Sequence, residues 1–108
     1  MTRDERLALL AKLAALKADR AAARLARVQA LIDEMERRAA ALRDVPDAPF
    51  VSLSESIMRD KWDRWRTQNL AKINTQVARL NVVAQPEREA HARETARAAV
   101  LAKLRKKS

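Results

Sequence analysis

Leu7, Ala11, Ala14, Ala18, Ala21, Leu25, Val28, Ile32, Met35, Ala39 and Leu42 follow one another at steps that alternate four and three. Every position in that series is apolar. A seam of this kind, sustained over about five heptads, marks a helix that packs along its length against another helix. Alanine is common throughout the chain, so the larger residues from Leu25 to Leu42 carry most of the weight. The seam predicts a first helix from about Asp4 to about Arg43, roughly 60 Å long at 1.5 Å per residue.

The rest of the composition agrees. The chain has 108 residues, which suits one small domain (1–108). It contains no Gly, which disfavours folds built on many tight turns. Ala, Leu, Arg, Lys, Glu and Gln dominate, all good helix formers. With no Cys, neither a disulfide framework nor a thiolate metal site is available, and one His cannot build a multi-histidine site. No stretch of about 18 apolar residues exists to span a membrane. The opening residues mix Asp4, Glu5, Lys12 and Lys17 among apolar ones, unlike a signal or transit peptide. The expected location is the cytoplasm.

The first helix stops at "DVPDAPFVSLSE", residues 44–55. Pro46 and Pro49 cannot continue it, and each pushes its predecessor toward an extended conformation. Ser52 with Glu55 forms a candidate capping box, and Ser54 is a second cap candidate. A turn over 44–53 and a second helix over about 54–84 follow. The stripe of that helix reads Met58, Trp62, Trp65, Asn69, Ile73, Val77, Leu80 and Ala84. Pro86 then kinks or breaks it, with a helical extension from about 86 to 106.

The predicted fold is all-α: an antiparallel two-helix coiled-coil hairpin. Centred on the turn, residues 54–84 pair back to around residue 13. The segment after Pro86 then runs past the start of the first helix. It projects as a basic extension or folds against a neighbour. Trp62 and Trp65 are two of only three aromatics. They read as a bulky packing layer at the hairpin tip together with Phe50, or else as a contact for a partner. Leu9, Leu13 and Leu16, with Leu10, form a second apolar face partly off the seam. That face either covers the C-terminal segment or docks a partner or a second copy.

No catalytic constellation is visible, and the chain reads as a non-enzyme without a cofactor. His91 has Glu87, Glu94 and Thr95 at helical spacing, but a hairpin offers no concavity to hold substrate. Acids mostly lie three or four residues from a base, as with Glu34 and Arg37 or Arg38, Asp60 and Arg64, Glu89 and Arg93. The net charge is +9 and uneven: residues 1–53 hold 10 basic and 8 acidic residues, residues 54–108 hold 13 and 6. The excess gathers at Arg97, Lys103, Arg105, Lys106 and Lys107, which favours an acidic protein, nucleic acid or an anionic surface.

The phrases "LLAKLAALKADRAAARLARVQALIDEMERR" and "WDRWRTQNLAKINTQVARLN", a Pro-broken turn, a Trp early in the second helix and a basic end together resemble the FliJ family. This family comprises small coiled-coil proteins of flagellar and type III secretion systems, with YscO-type relatives. The resemblance implies an antiparallel coiled-coil stalk seated in a hexameric export ATPase. It further implies contacts with the export gate protein and with export chaperones, and no catalytic residues. Basic residues near the end would serve those contacts. Two other classes remain open: a basic hairpin that binds nucleic acid, and a self-assembling bundle in which two copies pair as a homo-dimer through Leu9, Leu13 and Leu16.

Overall fold

The sequence is rich in strong helix formers, and both helices begin on a side-chain cap. Our computed structural model describes residues 1–44 and 52–107. Helix α1 spans Arg3–Arg43 and helix α2 spans Leu53–Lys107; no strand occurs among the described residues. Thr2 and Glu5 cap α1 reciprocally. The Glu5 amide donates to Thr2 Oγ1 at 3.2 Å, and the Thr2 amide donates to Glu5 Oε2 at 3.3 Å. At α2, the Glu55 amide donates to Ser52 Oγ at 3.2 Å. Charge placement follows the helix dipole: Asp4 and Glu5 open α1, while Arg105, Lys106 and Lys107 close α2.

The two helices pack against each other, and contacts group the chain into two units. The first unit joins Met1–Ala30 to Val82–Ser108, and the second is Leu31–Asn81. In the first, the segments of α1 and α2 run antiparallel, tied by Arg24 Nε to Glu87 Oε2 at 3.0 Å. Its buried core is Ala14, Ala21 and Ala84. In the second, Arg38, Ala41 and Leu42 face Asn69, Ile73 and Gln76 across a shallow groove. Ile32 and Ala39 form its buried core. All the seam residues of α1 named above are buried or half-buried, as are Asn69, Ile73, Val77, Leu80 and Ala84 of α2.

Three expectations need correction. Pro86 lies inside one continuous helix rather than at a break between two. Its missing N–H leaves the Val82 carbonyl without its helical donor. Val82 is 74% exposed, so water can take that lone pair. On either side of the proline, buried Ala84 and the Glu87–Arg24 pair fasten α2 to α1. Second, the segment after Pro86 does not project: it packs on residues 1–30 of the same chain. Its seam continues at Glu87, His91, Glu94, Ala98 and Leu101, all half-buried. Third, pairing Arg24 with Glu87 places Ala84 opposite a residue near position 27, not 13, a slip of about two heptads.

The slip accounts for the tryptophans. With Leu42 beside Asn69, the first four turns of α2 lie beyond the last residue of α1. Trp62 is 37% exposed and Trp65 is 51% exposed. The guanidinium of Arg66 sits 5.1 Å above the Trp62 ring, a cation–π contact that shields one face. Phe50 lies outside the described residues, so its part in a tip layer does too.

Candidate functional site

The first unit carries nearly all of the chain's charge. Met1–Ala30 and Val82–Ser108 together hold fourteen basic and six acidic residues, a net +8 of the total +9. The second unit, with nine basic and eight acidic residues, is close to neutral. The same unit that concentrates positive charge also exposes a run of large apolar side chains.

That apolar run has two parts. Leu10 and Leu13 of α1 with Val100 and Leu101 of α2 line a groove of about 460 Å³, edged by Lys17, Glu94 and Arg97. Leu9 and Leu16 stay outside it: both are exposed on the outer side of α1. Of the face expected from the sequence, Leu10 and Leu13, each 48% exposed, therefore belong to a concave site. Val100 and Leu101 complete it. The sequence held the signal for the last two, since Leu101 continues the seam of α2 once that seam is carried through Pro86.

The reason for the groove is the polarity of the α2 seam. Glu87, His91 and Glu94 occupy positions where a coiled coil ordinarily carries leucine, and all three are half-buried. Glu94 Oε1 accepts from Arg97 Nη1 at 3.2 Å, while its Oε2 is buried without a hydrogen-bond partner. His91 is half-buried and lines neither this groove nor the shallow groove of the second unit.

The basic residues singled out near the end divide by position. Arg97 sits at the groove rim in its pair with Glu94. Arg105 and Lys106 edge a second depression on the same unit, floored by Ala11, Ala15, Ala98 and Ala102. Lys103 and Lys107 are exposed. Elsewhere the surface is knit by local ion pairs. Glu34 accepts from Arg37 at 2.8 Å and from Arg38 at 3.3 Å, and Asp63 pairs with Arg66 at 3.5 Å. Hydrogen bonds from Arg37 and then its charge hold the Glu34 carboxyl below its ordinary range, and the same pair raises Arg37.

Among the described residues, no cluster of three or more His, Asp or Glu side chains could hold a metal ion. Likewise among these residues, no helix is long and apolar enough to cross a membrane. Compared with protein-family models, with curated proteins and with solved structures, the chain gives no match.

Proposed function

We propose that this chain is a non-catalytic coiled-coil adaptor, acting as the stalk of a flagellar or type III secretion export apparatus. In that role it binds and stimulates the export ATPase and contacts the export gate and its chaperones. The observation that supports an adaptor is the pairing of two long helices whose buried residues are mostly alanine (Ala14, Ala21, Ala39 and Ala84), with several leucines left on the surface. Large apolar side chains left exposed on a helix surface offer that surface to other molecules. The export setting rests on the FliJ-like phrases in residues 9–38 and 62–81.

Mixing the purified chain with the export ATPase of its own organism tests the reading. Hydrolysis should rise, and hexamers should form at lower ATPase concentration. An ATPase that neither binds the chain nor changes its rate ends the proposal.

A further inference from the structure

The leucine groove of the first unit has a charge pattern that identifies its occupant. Within the first unit, Leu10 lies on a heptad line of α1 whose other members are Arg3, Lys17 and Arg24. Leu13 lies on the adjacent line, whose other members in that unit are Arg6, Arg20 and Arg27. Over residues 1–30 both leucines therefore stand among exposed bases with no acid on either line; Glu34, the next residue of the Leu13 line after Arg27, belongs to the second unit. The acids of this part of α1, Asp4, Glu5 and Asp19, fall on other lines. Across the groove, the line of Val100 adds Arg93 and Lys107. The one acid at the rim, Glu94, is already joined to Arg97.

We propose that this groove docks an acidic amphipathic helix of a partner protein. An apolar stripe of that helix would settle between Leu10, Leu13 and Val100, and carboxylates flanking the stripe would meet the two basic lines. A second copy of this chain is the wrong occupant, because it would bring another +8 surface against the first. Nucleic acid suits the charge but not the floor of the groove. It would want aromatic platforms, and the described tryptophans, Trp62 and Trp65, belong to the other unit. A ridge of helix side chains fits between two helices in a way that a flat lipid surface does not. This proposal stands apart from the export reading, since it names a ligand chemistry and requires no ATPase.

The test uses the whole chain and three fluorescein-labelled amphipathic peptides sharing one leucine stripe, flanked by glutamate, glutamine or lysine. Fluorescence anisotropy should show the glutamate peptide binding most tightly, the glutamine peptide weaker and the lysine peptide not at all. Affinity for the glutamate peptide should fall as salt is raised. Leu10→Gln and Leu13→Gln should each weaken binding about tenfold, the effect expected for a half-exposed leucine that becomes covered. Leu16→Gln, outside the groove, should leave affinity unchanged. Lys17→Glu with Arg20→Glu should invert the preference among the peptides. Circular dichroism confirms that each variant keeps its helix content, as these side chains are exposed.

Three results would overturn the proposal. One is glutamate-peptide binding that ignores Leu10→Gln and Leu13→Gln. A second is self-association of the chain that those same variants abolish, which would make a second copy the occupant. The third is tighter binding to anionic vesicles or to single-stranded DNA than to the glutamate peptide at equal salt. ATPase stimulation does not enter any of these measurements, so failure of one proposal leaves the other standing.

Discussion

Replacing Ala21 by leucine decides how close the helices of the first unit approach. Ala21 and Ala84 are both fully buried, and no larger residue of that unit is. In an ordinary coiled coil a seam alanine leaves a hole, and leucine in its place is welcome. Three added carbons at about 0.8 kcal/mol each would then stabilise by about 2.4 kcal/mol. If the helices instead approach until the alanines themselves close the interface, those carbons have nowhere to go. Forcing them in costs about 1–3 kcal/mol. The two outcomes differ in sign and by several kcal/mol, well beyond the error of a melt. We expect destabilisation. Urea unfolding followed by circular dichroism gives the sign directly, with Ala23→Leu on the exposed side as the control that stays near neutral. A rise in the midpoint for Ala21→Leu would refute close approach and show that the alanine seam is under-filled.

Pro86→Ala restores the missing donor of α2 and should stabilise the chain by up to about 3 kcal/mol, the usual penalty of an interior proline. Thermal melting would show it, and a loss of stability would mean the packing around Ala84 depends on the ring. Glu34 gives the acid response of the second unit. Its folded pKa is depressed by Arg37 and Arg38, so its contribution is present above the ordinary carboxylate pKa and is lost as pH falls through the folded value. Wild type should therefore lose its margin over Glu34→Gln on acidification, in low salt more than in high, since the pair is exposed. A pH-independent difference between the two would contradict the assignment.

The all-helical fold was legible because the α1 seam has one phase from Leu7 to Leu42, and every member is covered to some degree. The start of α2 was legible too, from Ser52 and Glu55. Two things were hidden, and one cause hid both. Glu87, His91 and Glu94 look like surface residues, so the α2 seam seems to stop at Pro86. In fact all three are half-buried, and Glu87 and Glu94 pair with Arg24 and Arg97. With the seam cut short, the pairing had to be centred on the prolines, and an alanine-rich seam offers no objection to a shift by whole heptads. The tryptophans then fell opposite α1 by expectation, whereas the described structure leaves them exposed beyond its end. Leu13 was recognisable as an exposed apolar residue. Its partners Val100 and Leu101 follow only from the correct register.

Sliding one helix past the other is the natural failure of a repeat this uniform, and the polar seam of α2 works against it. Arg24 meets Glu87 at 3.0 Å, and one heptad away Lys17 and Glu94 both edge the leucine groove. Advance the helices by a single heptad and the Arg24–Glu87 bridge is broken, leaving one of its two members against leucine. The register of the first unit is thus marked by one cross-helix ion pair, set beside the buried alanines of its core.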